Sequence, residues 1–129
     1  MAHRTPKDLI ELYWAEVYNN ANYELIREIC ADPMVRHYPG KTLSLSHEEQ
    51  IERVRKNVEA IKPRFTHEVL VCDDTYASSA WNMFAVSDKF PEMCSIETFK
   101  VVDGRLAECW NGEYGYSLWD SEEYRESQG

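Results

Sequence analysis

The sequence predicts an α+β domain, and three observations carry that prediction. The first half of the chain places apolar residues at helical spacing, the second half alternates with period two from Phe65 onward, and Asp103-Gly104 joins two of the alternating stretches as a hairpin turn would. With 129 residues, 43% of them hydrophobic, there is enough chain for one core and too little for two. The reading is therefore of a single domain over 1–129, with its core at about 6–120 and a polar C-terminal tail at 121–129.

Thr5-Pro6-Lys7-Asp8 opens the first helix: a hydroxyl to cap it, a proline whose missing N–H costs nothing there, and an acid in the first turn. Ile10, Tyr13, Trp14 and Val17 follow on one face. Asn19-Asn20-Ala21-Asn22 breaks the pattern, and Tyr23 to Ala31 reads as a short second helix carrying Leu25, Ile26 and Ile29 until Asp32-Pro33 stops it. Met34 to Tyr38 is a short strand ending at Pro39-Gly40, and Thr42 to Leu45 leads into Ser46-His47-Glu48-Glu49, a capping box for the third helix. Ile51, Val54, Val58 and Ile61 give that helix a narrow apolar stripe on a charged background, and Pro63 closes it.

Four strands are expected near 65–73, 75–87, 93–102 and 105–114, with a tight turn at Asp73-Asp74 and a looser connection at Asp88 to Glu92. Three helices followed by long antiparallel strands place the helices on one face of the sheet, and a strongly curved sheet covered in that way encloses a pocket. Leu118-Trp119 is expected across the pocket mouth or in a partner subunit.

The net charge of −9, spread along the chain, disfavours nucleic acid and anionic membrane as partners. Arg53, Arg55, Lys56, Lys62 and Arg64 cluster locally, but the acids from Glu48 to Glu59 interleave with them, which describes a salt-bridged helix face. No stretch approaches the roughly 18 apolar residues of a spanning helix, so no membrane span and a cytoplasmic location are expected. Cys30, Cys72, Cys94 and Cys109 lie far apart without metal-ligand spacing and read as free buried thiols. No nucleophilic serine motif, phosphate-cradling loop or dinucleotide fingerprint is present, so the expectation is a protein with neither metal nor cofactor.

Alternation also sorts the strand at 93–102. If Lys100 faces out, Cys94, Ile96 and Thr98 share its face, while Ser95, Glu97, Phe99 and Val101 turn toward the helices. Glu97 is then the one acid expected inside. In an apolar cavity it would serve as a general acid or base near neutral pH; its other reading is a salt bridge to an arginine at the pocket rim. Tyr13, Trp14, Val17, Tyr38, Trp81, Met83 and Phe99 are the expected substrate-binding wall, suited to a flat or polycyclic apolar ligand.

Three stretches resemble the SnoaL-like branch of the nuclear transport factor 2-like superfamily: LIELYWAEVYNNANYEL at Leu9 to Leu25, DPMVRHYPG at Asp32 to Gly40, and FKVVDGRLAECWN at Phe99 to Asn111. That resemblance implies a cone-shaped, curved mixed sheet with three helices over its concave face, and dimerisation through the outer sheet face, here through Ile96, Thr98 and Trp110. It implies functions ranging from polyketide cyclases, isomerases and dehydratases (lyases) to binding proteins and interaction modules without catalysis. Within it, His37 matches a pocket-lining histidine able to shuttle protons. Asn111 stands after Trp110, where cyclases of the family carry an aspartate; an amide there would hold a carbonyl or enolate oxygen. The strand Ala80-Trp81-Asn82-Met83 lacks the Arg and Asp set of the family's epoxide hydrolases, and Tyr13, Tyr18 or Tyr38 would supply the phenol of isomerase chemistry.

The expected function is thus cofactor-independent proton transfer on a small hydrophobic carbonyl compound, with His37 and Glu97 as the proton-transfer pair and Asn111 as the oxygen-holding donor. The alternative is a non-catalytic protein that binds a small hydrophobic ligand, or a dimeric interaction module with the same fold.

Overall fold

A computed structural model of the chain describes residues 4–85 and 92–119. Helix α1 (Pro6–Leu12) continues without a break into a π-turn, Tyr13–Tyr18. A 3₁₀ turn (Tyr23–Leu25) leads into α2 (Ile26–Ile29), and α3 spans His47–Ile61. Six strands complete the fold: β1 (Cys30–Tyr38), β2 (Lys41–Leu45), β3 (Pro63–Cys72), β4 (Tyr76–Ala85), β5 (Met93–Val102) and β6 (Arg105–Asn111). The strand order is β2-β1-β6-β5-β4-β3, with β1 and β6 parallel and every other pair antiparallel. This is a mixed, open α+β sheet with the helices packed on one face.

Both capping boxes form. Thr5 and Asp8 exchange hydrogen bonds with each other's backbone N–H, and Ser46 and Glu49 do the same at the start of α3. At the hairpin between β5 and β6, Asp103 and Gly104 both take positive φ, 51° and 73°, as a primed two-residue turn requires. Lys62, at φ 51°, ends α3 in a left-handed cap immediately before Pro63.

Curvature comes from register breaks. The ladder shifts between Cys30 and Val35 in β1, between His67 and Val69 in β3, and between Lys100 and Val101 in β5. Each break leaves unpaired residues that bend the strand and increase its twist. The concave side then receives Leu9, Ile10, Val17, Ile26, Ile29, Met34, Phe99 and Leu106, all fully buried. Each such side chain contributes on the order of 1.5 to 3 kcal/mol relative to exposure.

Side-chain hydrogen bonds fasten the helical layer to the sheet. Asn19 donates from Nδ2 to the Phe65 carbonyl at 3.1 Å and accepts from the Phe65 N–H at 2.8 Å. Gln50 Nε2 donates to the carbonyls of Ala31 and Leu45, at 3.1 and 3.0 Å. The π-turn is thereby tied to the β3 edge of the sheet and α3 to the opposite, β1/β2 edge.

Several expectations need correction. The second helix is one turn and not Tyr23 to Ala31, because Cys30 already pairs with Leu106 as part of β1. Lys41–Leu45 is a strand of its own, with Pro39-Gly40 as the turn of the β1/β2 hairpin. Trp119 is held by Asn82, whose Oδ1 accepts from its N–H at 2.8 Å. Asn82 alternates with the inward Trp81 and Met83, so Trp119 lies on the face away from the pocket and not across its mouth. Residues 86–87 of the strand expected at 75–87, 88–91 of the looser connection and the tail at 121–129 lie outside the described residues. Among the described residues, no helix is long and apolar enough to cross a membrane.

Candidate functional site

The inward faces of β1, β5 and β6 each contribute one polar side chain to a point beneath the π-turn. Arg36, Glu97 and Asn111 are 3%, 1% and 5% exposed, so none of them is hydrated from outside. Arg36 Nη2 donates to Glu97 Oε1 at 2.7 Å and to Asn111 Oδ1 at 3.0 Å. Its Nη1 donates to the Tyr13 hydroxyl and its Nε to the Tyr38 hydroxyl, both at 3.3 Å. A buried guanidinium, a buried carboxylate and an oriented amide thus form one network in which the charges compensate each other. The amide orientation of Asn111 follows from the network, because its oxygen must meet the donor Arg36.

In front of this network lies a cavity of about 180 Å³. Trp14, Phe65 and Trp81 line its apolar side, packed against one another with ring centroids 4.6 to 5.9 Å apart. Arg53 reaches the cavity from α3, donating to the Tyr38 hydroxyl at 2.8 Å and to the Tyr18 hydroxyl at 3.4 Å. Tyr114 closes one wall, and burial pushes its phenol up to about 12. Burial likewise raises the Tyr13 phenol well above its usual value. The thiols of Cys30 and Cys109 behind the site are pushed up to about 12 by desolvation, so neither is a thiolate nucleophile near neutral pH.

No protein-family model matches the sequence, and no curated protein matches it. Solved structures do match. A candidate polyketide cyclase from Acidithiobacillus ferrooxidans superposes with a TM-score of 0.73 at 20% identity, over 86% of this chain and 89% of that one. A SnoaL-like polyketide cyclase from Agrobacterium tumefaciens gives a TM-score of 0.70 at 15% identity, over 97% of this chain and 98% of that one. A candidate ketosteroid isomerase from Kribbella flavida gives 0.70 at 14% identity, over 90% of this chain and 83% of that one. The chain has the nuclear transport factor 2-like fold. At these identities the likeness establishes the fold, and the chemistry has to be argued from the site itself.

In this fold, Glu97 and Asn111 stand together at the cavity, and Trp14, Trp81 and Met83 line it. Tyr13, Val17 and Phe99 pack in the solid core beneath, while Tyr38 sits behind the arginines as their shared acceptor. His37 does not join them. It follows the inward Arg36 on β1 and therefore points to the outer face, where it bonds Thr42 and Glu108 and stacks on Trp110 at 5.3 Å. The expectation of a pocket-lining His37 is corrected on that ground. The apolar surroundings expected for Glu97 are also absent, since the alternative reading, an ion pair with an arginine, is the arrangement found.

A cavity of about 150 Å³ holds one benzene ring, so the 180 Å³ here has room for one such ring.

Sequence reasoning missed Arg36 and Arg53. Arg36 had a signal: Met34 and Tyr38 flank it at two-residue spacing, and an apolar Met34 marks that face of β1 as inward. Arg53 had none, because it reads as one more charge on a polar helix. Among the described residues, no group of three His, Cys, Asp or Glu side chains is placed to hold a metal ion.

Proposed function

We propose that the chain is an enzyme that moves protons on a small hydrophobic carbonyl compound, as a cyclase, isomerase or dehydratase does, without a cofactor. One observation carries the reading. Glu97 is a buried carboxylate on the wall of an aromatic cavity, and only its Oε1 is occupied by Arg36. Its Oε2 is the base: it takes the proton from the carbon next to the carbonyl, and the C–H electron pair moves to the carbonyl oxygen. Asn111, whose Oδ1 is held by Arg36, presents its amide N–H to that developing enolate. Returning the proton to another carbon gives isomerisation. Attack of the enolate on a second carbonyl gives cyclisation, and expulsion of a β-hydroxyl gives dehydration. Arg36 is the positioning residue that fixes both groups, and His37 has no part. The occurrence of this fold among proteins described as cyclases and isomerases supports the reading.

The test is deuterium incorporation. A panel of single-ring ketones with acidic C–H groups is incubated in D₂O with the protein and followed by proton NMR. At least one compound exchanges faster with the protein than without it, and Glu97→Gln loses about 10²-fold or more of that rate, the scale of a removed general base. Exchange with no member of the panel, or exchange that survives Glu97→Gln, overturns the proposal.

A second reading is favoured by the ion pair itself, since one oxygen of the Glu97 carboxylate is already held by the Arg36 guanidinium. On that reading the cavity binds its ligand without turning it over, and the same assay gives binding without exchange.

The partner we propose for the outer face is a second copy of the chain. Val69, Val71, Tyr76, Ile96 and Trp110 stand exposed there, between 39% and 63%, on adjacent strands in register. An apolar patch of that kind on the bare side of a sheet marks an interface.

A further inference from the structure

The cavity has a surplus of hydrogen-bond donors and of positive charge. Three charged residues line it among those described: Arg36, Arg53 and Glu97. Glu97 neutralises Arg36, leaving Arg53 uncompensated. Among the described residues, no acidic side chain lies within 4 Å of the Arg53 guanidinium, and its only partners are the phenol oxygens of Tyr18 and Tyr38. A phenol keeps its own proton, so it accepts a hydrogen bond without balancing the charge. Tyr38 already accepts from both arginines. The Asn111 amide also turns its oxygen to Arg36 and so contributes a donor. Against all of these stands one carboxylate. In a protein whose net charge is −9, the one cavity argued to be functional is lined with net positive charge.

We infer that the ligand of this cavity is a carboxylate: one apolar ring, of the size the cavity admits, carrying a single COO⁻ that Arg53 receives while the ring lies against Trp14, Phe65 and Trp81. The inference rests on the proposed cavity site and deepens it by naming the ligand class. Arginine stays charged at any accessible pH and offers a planar pair of N–H donors to a carboxylate, so it discriminates a carboxylate from a neutral amide of equal size. Arg36 cannot take that role, because its Nη2 is committed to Glu97 and Asn111.

Benzoate and benzamide are the probes, matched in shape and differing in charge. Isothermal titration of the unaltered protein gives benzoate a dissociation constant at least about tenfold lower than that of benzamide, the lower end of what a hydrogen bond to a charged group provides. Arg53→Gln removes that preference, and Arg53→Lys, which keeps the charge and loses the fork, retains part of it. The two-probe comparison needs no variant, so misfolding of Arg53→Gln does not shield the inference. Equal affinity for the two probes, no binding of either at millimolar concentration, or a preference that survives Arg53→Gln in folded protein would each overturn it. If benzoate is preferred but no ketone exchanges deuterium, the proton-transfer proposal fails and this one stands. If ketones exchange through Glu97 but benzoate is not preferred, the reverse holds.

Discussion

Arg36 Nη2 stands 2.7 Å from Glu97 Oε1, on strands that are not neighbours, with both side chains buried beneath the helical layer. β6 lies between them and contributes Asn111, whose Oδ1 shares the same nitrogen. Two opposite charges withdrawn from water in this way are stable only as a pair, and the pair fixes where the carboxylate faces the cavity.

Breaking that pair from one side leaves an unpaired buried charge. Arg36→Met is expected to lower stability by about 3 to 5 kcal/mol, whereas Arg36→Met combined with Glu97→Leu costs less than Arg36→Met alone. Urea denaturation of the two variants checks this. A double variant less stable than Arg36→Met would show that the pair does not behave as a unit.

The chain's thiols differ in accessibility. Cys72 is exposed, whereas Cys30, Cys94 and Cys109 are buried and all four are free. Iodoacetamide at pH 8, read by mass spectrometry, modifies Cys72 first and leaves Cys30 and Cys109 unmodified in the folded protein. Prompt labelling of Cys109 would mean that the wall behind the cavity opens.

The same two thiols link stability to pH. Burial raises Cys30 and Cys109 from 9.0 to about 12 in the folded chain, so the native state retains protons that the unfolded chain releases. Stability is therefore fully present below pH 9 and is lost as pH rises toward 12. The loss is about 1.4 kcal/mol per pH unit for each thiol. Cys30→Ala with Cys109→Ala should flatten the urea midpoint between pH 9 and pH 11 relative to wild type, and an unchanged slope would contradict the assignment.

On the outer face, Ile96 is 51% exposed beside Thr98 and Trp110. Sedimentation at micromolar concentration is expected to give a dimer for the wild type and a monomer for Ile96→Glu. A monomeric wild type would end the proposal of a second copy on this face.

Much of the architecture was legible because local chemistry and tertiary packing agree there. Thr5 and Ser46 cap helices that also bury their apolar stripes, and Asp103-Gly104 turns where two alternating strands must meet. Where tertiary pairing overrides local preference, the reading fails. Cys30 and Ala31 follow a helical run but are drawn into β1 by parallel pairing with β6, and Lys41–Leu45 is a largely exposed edge strand without an apolar alternation of its own. The site was half legible for the same reason. Alternation on β5 locates Glu97 from one reference residue, Lys100, whereas on β1 the resemblance points to His37 and only the alternation from Met34 selects Arg36.

The sharpest trial of the central claim sets Glu97→Gln and His37→Ala side by side in the deuterium-exchange assay, with one responsive ketone. The account predicts that the glutamine variant falls by about 10²-fold or more while the alanine variant stays within about twofold of wild type. Full activity in Glu97→Gln together with a collapse in His37→Ala would contradict it.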